Sequence, residues 1–389
     1  MTLVGGRIAL TADDSIQANV WVGGGRIRKI HPALSRPPIF DLSGCLILPG
    51  LINAHDHLDF SLFPRLGRGP YRNATEWARD IYHPREAPIR QHLLVPKTVR
   101  LFWGGVKNLL CGVTTVAHHN PYAPGVFNRR FPVRVVKRFA WAHSLHFSPD
   151  AEERFHQTPS DTPFIIHAGE GTDAESRNEI MRLENSGMLG AHTVIVHGVA
   201  FDTDDLNLLG RRGASLVWCP SSNYFTIGRS LASAAFDSGI PIALATDSPL
   251  TAAGDLVDEF CAAGHCVPSR RIYEMVTTEA ARVLRLTFGE GSVREGAPAD
   301  LTVIPDHGQS PADALADMRP QLVFVNGRVK LLSRQIAERL RLRRLPSFEP
   351  IKVDGRGEYL ISCRMSALAA HARKQLGEEF RLAGKRITC

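Results

Sequence analysis

The sequence predicts an α/β protein: a (β/α)8, TIM-like barrel, closed or distorted, carrying a small β-sandwich module made from the N- and C-terminal segments. Three observations predict it. Between residues 51 and 294 short, nearly continuous apolar runs alternate with longer helical stretches, as expected of parallel strands covered by helices. Strand-and-turn segments of a different kind occupy both ends of the chain. The length, 389 residues with 44% hydrophobic and 22% charged, suits one large barrel plus a satellite module and argues against disorder. No GxGxxG or P-loop spacing supports a nucleotide-binding sheet instead.

The N-terminal segments Arg7–Leu10, Val20–Val22 and Arg26–Ile30 are separated by Gly-Gly, Asp-Asp and a glycine triplet, the punctuation of a small antiparallel sheet. The signature returns in Asp300–Ile304, Gln321–Val325 and Arg328–Leu331, the last two joined by Asn326-Gly327, a strong hairpin turn. One module is therefore read from 1–50 together with 295–335, a barrel from 51–294, and a basic extension from 336–389. The barrel's apolar runs are Cys45–Leu48, Val113–Ala117, Val133–Phe139, Phe164–Ile166, Thr193–Val196, Ser215–Trp218 and Ile242–Ala245. Helical patterns cover Pro96–Leu110, Ala174–Ser186, Asp202–Arg211 and Ser269–Leu284. That is seven strands where a barrel needs eight; the eighth is sought in Trp141–Phe147.

Composition bounds the function class. No stretch reaches the roughly 20 apolar residues of a membrane span, and MTLVGGRIALTADDS lacks the basic lead and apolar core of a secretion signal. Seven scattered cysteines without a CxxC pair fit reduced thiols better than disulfides or a thiolate zinc site, so a cytoplasmic protein is expected. Of the net charge of +7, residues 327–389 carry +9, with 15 Lys+Arg against 6 Asp+Glu. Arg339, Arg341, Arg343 and Arg344 could attract an anion. No aromatic-rich or DNA-binding motif accompanies them, so they are read as a solvated helix face.

Polar residues gather immediately after the apolar runs, where barrel strands meet the catalytic face. PGLINAHDHLDF contains His55 and His57. Two positions apart on a strand, their imidazoles point to one side and can share an ion. Phe164–Ile166 leads into His167-Ala-Gly-Glu170, Thr193–Val196 into His197-Gly, and Ile242–Ala245 into Thr246-Asp247-Ser248. Each alone is weak, since a single histidine at a strand end is commonly just a satisfied polar group. In this order they form a donor set suited to Zn²⁺ or Fe²⁺.

These motifs resemble the amidohydrolase superfamily. PGLINAHDH looks like its first-strand metal pair, IIHAGEG its fifth-strand His-x-x-Glu, VHG its sixth-strand His and LATDSPL its eighth-strand Asp. GVTTVAHHNP and WCPSSNYFTIG are similar to its second and seventh strands, and GAPADLTVI and VNGRVK to its closing β-module. The resemblance covers roughly residues 1–330. His167 with Glu170 is similar to the mononuclear branch, which holds cytosine, guanine and adenosine deaminases and triazine hydrolases.

The resemblance implies that His55, His57, His167 and Asp247 hold one divalent metal, Zn²⁺ with Fe²⁺ as the alternative. Glu170, His197 and Asp247 are the implied catalytic residues of a metal-dependent hydrolase. Its reaction would be hydrolytic deamination of an amino-substituted heterocycle or nucleoside by metal-activated water. His118, His119 and Asn223 are candidate substrate contacts. Tyr71, Arg72 and Trp77 fall in an insert where a pocket wall is usual.

Two other chemistries compete. A binuclear enzyme cleaving a cyclic amide or ester would bridge its metals with a carbamylated lysine, for which Lys137, inside the apolar run Val133–Phe139, is the candidate. Hydrolytic removal of chloride or an alkylamine from a triazine-like ring would use the same mononuclear site. The expected partner is a small heterocyclic substrate; neither nucleic acid nor membrane is expected, and homo-oligomers are common among such barrels.

Overall fold

The computed structural model describes residues 1–32, 36–342 and 347–389. Eight strands run in parallel ladders: β1 (Leu51–Asp56), β2 (Val113–His118), β3 (Arg134–Val135), β4 (Ala140–Ser144), β5 (Phe164–Ala168), β6 (Thr193–His197), β7 (Ser215–Trp218) and β8 (Ile242–Leu244). They form two hydrogen-bonded ladders, β3-β2-β1 and β4-β5-β6-β7-β8, parallel throughout. Among the described residues no ladder joins β3 to β4 or β8 to β1. At the second gap the chain beyond β8 is still tied to β1, through Asp247 N donating to His55 O at 3.1 Å and Thr246 N donating to Asn53 Oδ1 at 3.2 Å.

Strand pleating explains the packing. Ile165, Val194, Val196, Val217, Ala243 and Ala245 fall in one buried cluster. The residues between them, Phe164, Ile166, Ile195, Leu216, Ile242 and Leu244, join another that includes Ile180, Leu183, Leu206 and Leu209 of the covering helices, as a period of two requires. Those helices begin where their sequences supply caps. Asp173 accepts from Ser176 N before Ala174–Asn185. Asp202 and Asp205 form a reciprocal capping box before Thr203–Arg212, which ends on Gly213 in the left-handed region.

Several expectations are corrected. Cys45–Pro49 is not one of the eight strands: it pairs antiparallel with Leu301–Pro305 and parallel with Arg7–Ala9, and the first parallel strand begins two residues later, at Leu51. Val133–Phe139 is not a continuous strand; only Arg134–Val135 pair with β2, and the following residues bend before β4. Lys137 is exposed on that bend, so it bridges no metals. The missing strand is β4, within the stretch where it was sought. Ser269–Leu284 splits into helices Ser269–Met275 and Thr278–Val283, with Thr277, at φ −129° and ψ −102°, breaking the helical path.

The chain's two ends meet in a ten-stranded sheet that runs from Ser15–Gln17 through Arg7–Ala9, Cys45–Pro49, Leu301–Pro305, Leu322–Val325, Arg328–Ser333, Gly357–Ile361, Glu349–Val353 and Lys385–Thr388 to Arg381–Leu382. A four-stranded sheet of Thr2–Val4, Val20–Gly23, Arg26–Ile30 and Ile39–Asp41 packs with it around Leu3, Val20, Ile47, Val303 and Phe324. The described residues beyond 336 thus contribute strands and a helix to the fold. Arg339 donates to Asp41 O and Ser43 O at 2.6 and 3.0 Å. Arg343 and Arg344 lie outside the described residues. Among the described residues no helix is long and apolar enough to cross a membrane.

Candidate active site

His55 and His57 sit at the end of β1, His167 in β5, and Asp247 just past β8. One donor atom from each lies within 4.8 Å of the other three. Asp247 Oδ1 is 3.6 Å from His55 Nε2 and 3.5 Å from His57 Nε2, and His167 Nε2 stands 3.1 Å from His55 Nε2. All four residues are buried.

The protons can be placed from the neighbours. His167 Nδ1 lies 2.6 Å from the carbonyl oxygen of His143, so Nδ1 donates and the Nε2 lone pair faces the cluster. Burial, with the neighbouring imidazoles, pushes the His55, His57 and His167 pKa values down, that of His57 to about 4. Neutral imidazoles converging on a carboxylate are the protonation states a metal needs. Asp247, although burial opposes its charge, is held well below the usual carboxylate range by the hydrogen bond with His55 and the surrounding histidines. Facing ring nitrogens with no hydrogen bond partner besides each other and a fixed carboxylate fit a divalent cation among them.

The flanking residues hold this arrangement. Asp247 Oδ2 accepts from Ser222 Oγ at 2.7 Å and Thr251 Oγ1 at 3.1 Å. Asn120 Nδ2 lies 3.4 Å from His57 Nδ1 and donates to Asp59 Oδ1 at 2.9 Å. Asp56, between the two histidines, is buried on the other side of the strand. It takes Lys107 Nζ at 2.9 Å and Asn108 Nδ2 at 2.7 Å.

Glu170 and His197 complete the cluster. By strand parity His197 would follow Ile195 to the helix side, but its φ of +79° turns it to the cluster. Its Nδ1 lies 2.7 Å from Asn223 Oδ1 and its Nε2 3.5 Å from Glu170 Oε2. Burial raises the Glu170 pKa to about 7 against the pull of His197, with Asp247 and Glu179 adding to the rise. Glu179 also accepts from Gly169 N at 2.7 Å, fixing the turn between His167 and Glu170. A cavity beside Glu170 is lined by His143, His146, Phe147, Glu179 and Asn73.

The other predicted residues are placed as follows. His119 is buried with its ring 4.8 Å from that of His55 and 4.5 Å from that of His167; its Nε2 bonds Ala142 O at 3.0 Å and its Nδ1 has no partner. His118 Nδ1 accepts from Leu58 N at 3.2 Å, and its ring meets Phe127 edge-on. Asn223 is fully buried, with Nδ2 unpartnered. The insert walls the site with backbone: Ala74 N donates to Glu170 O at 3.0 Å, Thr172 N to Arg72 O at 2.8 Å and Tyr71 N to Thr226 O at 2.7 Å. The side chains of Tyr71, Arg72 and Trp77 engage Asp80, Glu76 and Leu66 O respectively.

Sequence reasoning missed Ser222, Thr251, Asp56 and Lys107. The first had a signal: Ser221, Ser222 and Asn223 open a helix directly after β7, and each reaches a different acid or histidine, Ser221 to Glu259, Ser222 to Asp247 and Asn223 to His197.

Residues 157–330, the segment holding His167, Glu170, His197 and Asp247, match the amidohydrolase family. The chain is similar to a 5-methylthioadenosine/S-adenosylhomocysteine deaminase of Syntrophobacter fumaroxidans, with 26% identity covering 68% of this chain and 73% of the relative. A deaminase of the same name from Thermococcus kodakarensis is 24% identical over 75% and 82%. Two solved structures share the fold. Atrazine chlorohydrolase TrzN of Arthrobacter aurescens, complexed with zinc, has a TM-score of 0.69 at 17% identity, covering 88% of this chain and 99% of that chain. An adenosine deaminase of Xanthomonas campestris with bound zinc has a TM-score of 0.67 at 17% identity, over 96% and 97%.

Proposed function

We propose that this protein is an amidohydrolase, a mononuclear metal-dependent deaminase replacing the exocyclic amine of an amino-substituted heterocycle or nucleoside with oxygen and releasing ammonia. The observation that carries the reading is Glu170, a buried carboxyl near pKa 7 beside a ready-made four-donor set. Names of the relatives support the amine as leaving group, and their adenosine-derived compounds suggest the substrate class. Zinc in the two structural neighbours supports that metal over iron. We further read the two ladders as one distorted eight-stranded barrel. We read the protein as cytoplasmic, in keeping with seven free cysteines.

In this mechanism His55, His57, His167 and Asp247 hold the ion, which when bound supplies the Lewis acidity that makes water nucleophilic near neutral pH. Asp247 and His197 orient the attacking water and accept its proton. Glu170, poised to give a proton at neutral pH, protonates the ring nitrogen as oxygen adds to the adjacent carbon. The C–N bond then breaks and the amine leaves with a proton as ammonia. His119, against the donor cluster with a free Nδ1, and Asn223, through its free Nδ2, are the substrate contacts we favour; His118 has its Nδ1 taken by Leu58 N and offers only its Nε2.

Elemental analysis and an ammonia-release screen test the reading, using 5′-methylthioadenosine, S-adenosylhomocysteine, adenosine, guanine and cytosine. The expected result is about one zinc per chain and turnover of at least one amine. Glu170→Gln should keep the metal and lose about 10²–10⁴-fold in kcat. Two metals per chain, or chloride release from atrazine without ammonia from any amine, would reject it.

A further inference from the structure

A cavity of about 830 Å³ lies away from the donor cluster, between the loop that follows β2 and the turns at 24–26 and 325–328. Five cationic residues line it, Arg26, Arg129, Arg134, Arg328 and Lys330, and among the described residues no Asp or Glu does. Arg134 is committed to Glu290 and Asp300. The other four have no carboxylate partner among the described residues; Arg26 donates to Gly296 O at 2.6 Å.

Lys330 is the informative member. It is only 5% exposed, yet among the described residues its ammonium donates only to the carbonyl oxygens of Arg129 and Phe131, each at 2.9 Å. One N–H is left over. An ammonium removed from water with only dipoles for company is costly, and burial lowers its pKa to about 8. An anion in the cavity would supply the missing counter-charge, and the exposed guanidinium groups of Arg129 and Arg328 suit the oxygens of a phosphate. Aromatic side chains line the cavity as well. Phe288 is 61% exposed with Arg26 over its ring at 5.5 Å, and Tyr122 and Phe127 stand nearby in the lining. A planar ring stacked there is worth about 1–3 kcal/mol in comparable base-binding platforms.

We propose that this cavity is a second ligand site, distinct from the catalytic one, for a small phosphorylated molecule bearing a planar ring, a nucleoside phosphate by its chemistry. The size suits such a ligand. The proposal stands apart from the deaminase reading, since none of its residues belongs to the donor cluster.

Calorimetric titration of the zinc-loaded protein tests it with ADP, pyrophosphate and a 12-nucleotide single-stranded RNA. ADP should bind once per chain, undisplaced by a substrate or inhibitor of the catalytic site, and more tightly than pyrophosphate. Arg129→Gln/Arg328→Gln, both at exposed positions, should weaken ADP at least tenfold with kcat/KM in the absence of ADP unchanged. Phe288→Ala should weaken ADP and leave pyrophosphate unaffected. No ADP binding at millimolar concentration, equal binding by the double variant, or displacement from the catalytic site would overturn the proposal. RNA binding tighter than ADP and lost in the double variant would also overturn it, making the face a nucleic-acid surface.

Discussion

Glu170 and Glu259 are both buried carboxyls pushed upward, to about 7 and about 8, burial being the main cause in each. Their neighbours separate their roles. Glu170 faces His197 and the cavity, whereas Glu259 is consumed by the backbone N–H and hydroxyl of Ser221. Both bind protons more tightly folded than unfolded, where they titrate near 4.5, so their contribution to stability is full below that pH and is lost as pH rises through 7 to 8. Glu259→Gln should therefore melt higher than the parent at pH 9 and differ little at pH 5. Thermal melts across that range decide it; parallel curves would show that Glu259 is not the titrating group. Ser222→Ala removes a hydroxyl from Asp247 Oδ2, and outer hydrogen bonds of this kind are worth about 10–100-fold in metal affinity. Chelator competition should show zinc held that much more weakly, with the fold intact by circular dichroism. The histidines and carboxylates of the cluster were legible in the sequence because their chemistry is rare at strand ends. Ser222 and Thr251 were not, because a hydroxyl's partner is decided by what tertiary packing brings to it.

Strand β1 shows how an element carries a site on one side and an anchor on the other. His55 and His57 face the cluster while Asp56 reaches Lys107 in helix Lys97–Leu110, and Asn53 Nδ2 spans from Asp56 to Thr246 Oγ1 at 2.9 Å. The aspartate thus ties together the helix, β1 and the residue before Asp247. Removing one member of a buried pair leaves an uncompensated charge, about 3–5 kcal/mol. Lys107→Met should lose that much by urea denaturation, and Asp56→Asn/Lys107→Met should recover part of it; a double variant as unstable as the single one would mean that packing, not charge, is at stake. The spacing of HDH announced that the two histidines share a side, yet it could not show that a fully buried lysine lay waiting 51 residues later. Apolar runs marked β2 and β5 to β8 within a residue or two. They failed at β3, where two paired residues are too few to impose a pattern, and at Cys45–Pro49, which is as apolar as β1 because it is buried in a different sheet.

For the whole molecule, the basic C-terminal stretch is where charge arithmetic was least informative. Its excess of Lys and Arg suggested a solvated face, but two of those cations cross to another element. Arg356 and Lys385 bracket the buried carboxylate of Asp255 at 2.8 and 3.1 Å, at the start of helix Leu256–Ala263, which also carries Glu259. The same stretch adds Glu349–Val353 and Gly357–Ile361 to the sheet through Arg328–Ser333, and lays Leu368, Ala369 and Ala372 in one core with Trp103 and Leu109 of the helix behind β1. We therefore treat the extension as part of the folding unit. Ending the chain at Leu342 would unpair Asp255, bare one edge of the sheet and open the core beside the helix that holds Asp56. The truncated protein should be aggregation-prone, with a lower melting temperature. Full-length Arg356→Met separates the causes: it should lose stability through Asp255 while remaining soluble, because the sheet edge stays covered. A truncated chain that melts like the parent would show that the barrel stands without its C-terminal strands.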